Sequence, residues 1–150
     1  MKVLNEMKVS FPSHSQNEGL ARSLTAVFAA QLNPTVSELS DLRTAVSEAV
    51  TNAIVHGYRG TSGTVYITVR QLPGRVLQVK VRDRGVGIDD IEKAMEPLYT
   101  TAPEEERAGL GFAVMQSFCD RVKVHSRPGA GTTVTLEKKL LPPGGDEAGA

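Results

Sequence analysis

Met7, Val9 and Phe11 alternate with polar neighbours and predict a short strand stopped by Pro12. Ser15 and Glu18 then have capping-box spacing, and Leu20, Leu24, Val27, Phe28 and Leu32 recur at helical intervals, predicting a first helix over about 17–32 with those residues as its buried stripe. A second capping box, Thr35 to Glu38, opens a second helix with Leu39, Leu42, Val46, Ala49, Val50 and Ala53 on its apolar side. Gly57 is a suitable residue to end it. TVYITVRQ (64–71) and VLQVKVRD (76–83) are β-rich and flank a Leu-Pro-Gly-Arg turn, so they read as a hairpin. Beyond a stretch of different composition, GLGFAVMQSFCD (109–120) predicts a third long helix carrying Phe112, Met115 and Phe118. RVKVHS and TTVTLEKKL form a second hairpin around Arg-Pro-Gly-Ala-Gly. The order βααββ, short helix, lid-like loop, αββ predicts an α/β two-layer sandwich of the α+β class, with helices on one face of a mixed, mainly antiparallel sheet.

The second helix also carries chemistry. Glu48, Asn52 and His56 follow one another at one-turn intervals, nearly opposite the apolar stripe. Taken alone, the row reads by default as a solvated face with a histidine favourably placed near the negative helix end. Two glycine clusters change that picture. RDRGVGIDD sets Asp83 at a strand end before Gly85 and Gly87, which is either a plain turn or a place where a ligand approaches backbone. RAGLGF sets Gly109 and Gly111 at the expected start of the third helix, where unpaired backbone N–H groups favour an anion such as phosphate; close helix packing is the competing explanation. Between them, about 91–108, lies a polar, proline-bearing stretch ending in Arg107, a length that suits a movable cover over a ligand. The phosphate loop GxxxxGK[ST] is absent, and GLGF is too short for the dinucleotide fingerprint.

Composition narrows the class. At 150 residues the chain suits one domain, expected over 1–141 with a flexible tail at 142–150. Lys+Arg and Asp+Glu are both 17, so no long-range field draws it onto nucleic acid or acidic lipid, and neither is expected as a partner. Cys119 is the single cysteine, which excludes an internal disulfide and a cysteine-based zinc site. No apolar run approaches a membrane span and the charged start does not resemble a signal peptide, so a cytoplasmic location is expected.

E-x-x-x-N-x-x-x-H-G, D-x-G-x-G, a Ser/Thr-rich lid, G-L-G-F and a late G-T-T, in this order over about 10–140, together resemble the Bergerat-type ATP-binding fold shared by gyrase B, Hsp90, histidine kinases and MutL. Within it, SEAVTNAIVHGY, VRDRGVGI, PLYTT and GLGF are most similar to the small serine kinases that act as sporulation anti-sigma F factors, more than to the stress-response kinases. The resemblance implies ATP/ADP and Mg²⁺ as cofactors. It assigns Asn52 to the Mg²⁺ ion and Glu48 to the role of catalytic base, accepting the proton of an incoming serine hydroxyl. His56 matches the motif, although helix capping explains it equally well.

By the same resemblance Asp83 reads adenine's exocyclic amine, which favours ATP over GTP. Gly85 and Gly87 let backbone approach the base, and Thr132 supplies a supporting hydroxyl; Thr132 and Thr133 also suit ordinary strand positions. The lid spans about 96–108, where Thr100 and Thr101 are carried over as nucleotide-binding. Arg107 resembles the γ-phosphate contact, against an ion pair with Glu104 or Glu105, and Gly109, Leu110 and Gly111 would offer backbone donors. Ala102 departs from the family, where many members have a Lys. Arg22, in NEGLAR, is similar to the family residue that contacts both sigma factor and anti-anti-sigma protein. The resemblance thus implies a homodimeric kinase that sequesters a sigma F-like factor and phosphorylates its anti-anti-sigma antagonist. Two rivals are a nucleotide-gated sigma-binding module without catalysis and an anti-sigma kinase of a stress sigma factor. A histidine-kinase catalytic domain is a further rival.

Overall fold

A computed structural model describes residues 2–88 and 103–142, and of residues 103–110 the backbone alone. The chain runs β1 (Asn5–Pro12), α1 (Asn17–Ala30), α2 (Val36–Thr51), a π-helical turn (Asn52–Gly57), β2 (Thr64–Leu72), β3 (Val76–Asp83), α3 (Pro103–Phe118), β4 (Arg121–Arg127) and β5 (Gly131–Lys139). The strands form one sheet in the order β1-β2-β3-β5-β4, and each neighbouring pair is antiparallel. The described sheet is therefore wholly antiparallel rather than mixed. The predicted short helix and the first part of the lid fall within 89–102, outside the described residues.

Alternation along the strands explains the two layers. Val65, Ile67 and Val69 of β2, Leu77, Val79 and Val81 of β3, and Val134 and Leu136 of β5 point to one face and are buried. Phe28, Leu42, Val46, Val50, Phe112 and Met115 from the helices complete that core. Each such aliphatic side chain contributes about 1.5–3 kcal/mol through burial. No described helix is long and apolar enough to cross a membrane.

The two capping boxes fare differently. Thr35 accepts from the Glu38 amide at 3.0 Å and the Glu38 carboxylate accepts from the Thr35 amide at 2.9 Å, as the sequence predicts. At α1 the N-cap is Gln16 with no side-chain cap, and Ser15 contributes only its carbonyl, to the Glu18 amide. The predicted buried stripe of α1 holds at Phe28 and Leu32 but is otherwise rotated: Ala21, Thr25 and Ala29 are inside, whereas Leu20 and Val27 are 49% and 68% exposed. Small residues at i, i+4 and i+8 let α1 lie close to its neighbours, and the Thr25 hydroxyl is satisfied by the Ala21 carbonyl at 2.9 Å.

The third helix begins six residues earlier than the sequence predicts, at Pro103 rather than Gly109. Pro at the first helical position and Glu104, Glu105 and Glu106 in the first turn explain the earlier start, since fixed φ and negative charge both favour a helix N-terminus. Gly109 and Gly111 are consequently inside the helix. An α-helix directs such amides to carbonyls four residues back, so they are not the terminal donors expected for an anion.

The hairpin turn between β2 and β3 is held from outside. Arg75 takes the left-handed region at φ 61°, and its guanidinium donates to the carbonyls of Leu141 (2.7 Å) and Leu32 (2.8 Å). Glu38, already used in the α2 cap, also accepts from the Leu141 amide at 2.7 Å. The end of the described chain is thus fastened to the starts of both layers.

Candidate functional site

Glu48 and Asn52 stand one α-helical turn apart at the end of α2, where the Asn52 amide still bonds back to the Glu48 carbonyl. α3 crosses them at Gly111. A Cβ there would sit 3.2 Å from the Asn52 carboxamide and 3.2 Å from Glu48 Oε2, so glycine lets the helix rest on both side chains. Nδ2 of Asn52 is buried and has no hydrogen-bond partner among the described residues. Such a group costs about 1–3 kcal/mol, a cost that a ligand at this position would relieve.

Glu48 is half-buried, and burial, followed by the charge of Glu18, pushes its carboxyl above the ordinary carboxylate range. Glu18 reaches over from α1, where it accepts a hydrogen bond from the Ser47 hydroxyl and lies 3.8 Å from Arg22 Nε. Arg22 is two-fifths exposed. It therefore sits on the helix that flanks Glu48, partly exposed but with Nε buried and without a hydrogen-bond partner among the described residues.

Past Asn52 the predicted row breaks. The chain widens into a π turn, closed by the Tyr58 amide on the Ala53 carbonyl five residues back at 3.3 Å. His56 belongs to this turn and is half-buried, rotated from the line that continues Glu48 and Asn52. Gly57 does not serve the left-handed C-terminal role expected of it. Instead it packs on Asp83: a Cβ at Gly57 would lie 2.7 Å from the Asp83 carboxyl carbon.

Asp83 ends β3 at 5% exposure. Burial raises its carboxyl pKa, and the Gly85 and Thr132 amides oppose that shift; the Gly85 amide donates to Oδ1 at 2.8 Å. Gly85 lies directly on the π turn, where an added Cβ would be 1.8 Å from the Gly57 carbonyl oxygen, and the Val86 amide donates to that same oxygen at 2.8 Å. Gly87, at φ 77°, approaches the Arg127 carbonyl. Thr132 is buried beside Asp83, its register partner, with its hydroxyl 2.8 Å from that of Ser126.

The structure therefore gathers Asp83, Gly85 and Thr132 into one cluster joined through Gly57 to the helix that carries Glu48 and Asn52. Arg107, Gly109 and Leu110 lie on α3; Thr100 and Thr101 lie outside the described residues. Sequence reasoning missed two members. Tyr58 is buried, donates to the Thr64 carbonyl, and accepts from the Arg84 amide at 2.9 Å, bracing the strand end after Asp83. Ser126 accepts from the Ile88 amide at 2.7 Å, fixing the chain just after Gly87. A tyrosine immediately after His-Gly was the one available signal; nothing in sequence marks Ser126.

Chemically, a buried carboxylate ringed by backbone can accept from an amino group, while Glu48 supplies carboxylate oxygens and the Asn52 carboxamide pairs a carbonyl oxygen with an unpartnered Nδ2 donor. No group of three or more His, Cys, Asp or Glu among the described residues could hold a metal ion. Two oxygens suit a hard cation such as Mg²⁺, which keeps water and phosphate ligands. Asp83→Asn tests the buried charge. Because the folded pKa is raised, native Asp83 binds a proton more readily than the unfolded chain does, and wild-type stability rises as pH falls through that pKa. At neutral pH the Asn variant should melt no lower than wild type, and its relative advantage should shrink toward acid pH in thermal melts.

Residues 11–138 match the family described as the histidine kinase-like ATPase domain. The anti-sigma F factor of Thermoanaerobacter sp. (strain X514) is 53% identical over 140 residues, covering 93% of this chain and 97% of the relative. That of Clostridium acetobutylicum is 50% identical over 136 residues, covering 91% and 94%. Among solved structures, the RsbU and RsbW domains of Rv1364c from Mycobacterium tuberculosis align with TM-score 0.67 at 19% identity, covering 91% of this chain and 32% of that one. Full-length ShkA in complex with AMPPNP aligns with TM-score 0.59 at 20% identity, covering 83% and 30%. At these identities the structural likenesses speak for the fold alone.

Proposed function

The chain belongs to the anti-sigma F factor family within the histidine kinase-like ATPases, and from that premise we propose that it is an ATP- and Mg²⁺-dependent protein serine kinase that also sequesters a sigma F-like factor. Its substrate is the anti-anti-sigma antagonist, phosphorylated on serine, and it works as a cytoplasmic homodimer. The observation that carries this reading is the juxtaposition of the Asn52 carboxamide, its Nδ2 unpartnered, and the Glu48 carboxylate under Gly111, within a chain of this family.

Asn52 would hold Mg²⁺ through its carbonyl oxygen, with Glu48 alongside. Bound Mg-ATP supplies the γ-phosphoryl group and the charge neutralisation its transfer requires. Glu48, with its raised proton affinity, accepts the proton of the serine hydroxyl. Asp83 accepts a hydrogen bond from the adenine amine, whereas guanine would oppose a carbonyl oxygen to the carboxylate. The Gly85 and Thr132 amides fix that carboxylate, Gly87 would let the backbone approach the base, and Arg107 would contact the γ-phosphate. Arg22 offers the surface shared by the sigma factor and its antagonist, which makes their binding mutually exclusive.

Incubation with a candidate anti-anti-sigma protein, Mg²⁺ and ATP, followed by mass spectrometry, tests the reading. One phosphate on a serine with ATP, and none with GTP, is expected. No phosphate despite binding of both ATP and the partner would replace the kinase with a nucleotide-gated binding module. Asn52→Ala should remove the Mg²⁺-dependent tightening of ATP binding in calorimetry while leaving the melting temperature unchanged or raised, because it deletes a buried unpaired group. An unchanged Mg²⁺ dependence would exclude Asn52 as the ligand.

A further inference from the structure

Charge on this neutral chain is segregated. The face of the sheet turned away from the helices carries Lys8, Arg70, Lys80, Arg82, Lys123 and Arg127, against Glu6 and Glu137. Glu6 is occupied by Arg70 and Lys8, and Glu137 accepts from Gln78. Among the described residues Lys80, Arg82 and Lys123 have no ion pair, and no described helix covers this face.

Register orders these cations. Lys8, Thr68, Lys80, Thr135 and Lys123 are successive cross-strand neighbours, one from each of the five strands, so cation and hydroxyl alternate across the whole sheet. Successive lysines in this row are about 10 Å apart, two strand spacings. Beside it Ser10, Tyr66, Arg82 and Thr133 form a second row, and the guanidiniums of Arg82 and Arg84 lie 5.9 and 5.0 Å from the centroid of the Tyr66 ring. Between the rows is a shallow depression of about 430 Å³ lined by Lys8, Ser10, Thr68, Lys80, Arg82 and Thr133.

We propose that this outer sheet face is a docking surface for an acidic polypeptide segment of a protein partner, separate from Arg22 and from the Glu48 row. Carboxylates match a field of ammonium, guanidinium and hydroxyl donors, and the stacked arginines are held in place before any partner arrives. A nucleic acid strand is a poorer match, because base stacking needs open aromatic faces and the single tyrosine here already bears two guanidiniums. A second copy of the chain would set cation against cation. The inference does not depend on phosphotransfer.

The test uses the full chain and a fluorescein-labelled oligo-glutamate peptide followed by anisotropy. Saturable binding at low salt that weakens as NaCl is added is expected. Lys80→Glu combined with Arg82→Glu should weaken it by about tenfold or more, Lys123→Glu on the edge strand should weaken it less, and Arg43→Glu on exposed α2 should not change it. ATP binding by each variant reports that the fold is intact. Equal binding by wild type and the Lys80, Arg82 double variant, no saturable binding at low salt, or a preference for single-stranded DNA or anionic vesicles over the peptide would overturn the proposal.

Discussion

Glu48→Gln should lower single-turnover phosphotransfer to the anti-anti-sigma protein by about 10²–10⁴-fold, the usual worth of a positioned general base, with nucleotide affinity within about twofold of wild type. Glutamine has the shape of glutamate, so the contact with Gly111 persists and α3 need not move. What disappears is the ability to take a proton. Burial and the neighbouring Glu18 raise the proton affinity of Glu48, so the acid limb of the wild-type rate should lie above the ordinary carboxylate range and vanish from the residual rate of the variant. The variant should also be no less stable than wild type at neutral pH, since a partly buried charge has been removed. Transfer within tenfold of wild type, measured by radiolabel incorporation under single-turnover conditions, would remove Glu48 from the chemistry and leave it as part of the metal's surroundings.

Gly85→Ala should be severely damaging, since among the described glycines it brings an added Cβ closest to another atom. Its Cβ would fall 1.8 Å from the Gly57 carbonyl oxygen and 2.3 Å from the carbonyl carbon, both backbone atoms that cannot swing aside. The chain after β3 must then separate from the π turn, breaking the 2.8 Å bond from the Val86 amide to Gly57 and exposing Asp83. Overpacking of this kind costs about 1–3 kcal/mol or more, or roughly 2–4 °C of melting temperature per kcal/mol for a chain of this size. Adenine nucleotide affinity should fall by more than about tenfold, because the same junction positions the carboxylate. Gly74→Ala is the matched control. Gly74 has positive φ, at 82°, but nothing lies within 4 Å of its Cβ, so the cost is confined to the turn and ATP binding should persist. Equal losses of ATP affinity in both variants would show that global stability, not this junction, governs binding.

Local signals survived translation into structure where they were redundant. Thr35 and Glu38 cap α2 as their spacing predicts, because the donors and acceptors involved lie within one turn. Glu48 and Asn52 share a face for the same reason, and alternation placed the cores of β2, β3 and β5. The α1 stripe misled because hydrophobic size was read as burial; close packing of Ala21 and Ala29 favoured the smaller side chains and left Val27 outside. The start of α3 was hidden by reading GLGF as a boundary, when Pro103 and the acids after it define the helix N-terminus. Gly57 could not be understood from its neighbours in sequence, since its reason is a carboxylate 26 positions away, and Ser126 is tied to Ile88 across another 38.

The π turn gives these separate observations a common geometry. A turn closed over five residues rather than four holds one extra residue at the end of the helix, so it acts as a spacer of fixed length between the carboxamide of Asn52 and the carbonyl of Gly57. The distance between the two halves of the candidate site is therefore written in the number of residues from 52 to 57 more than in their identities. Such a site tolerates drift in side chains but not in length: over evolutionary time insertions and deletions should be excluded from this hexad even where substitutions accumulate.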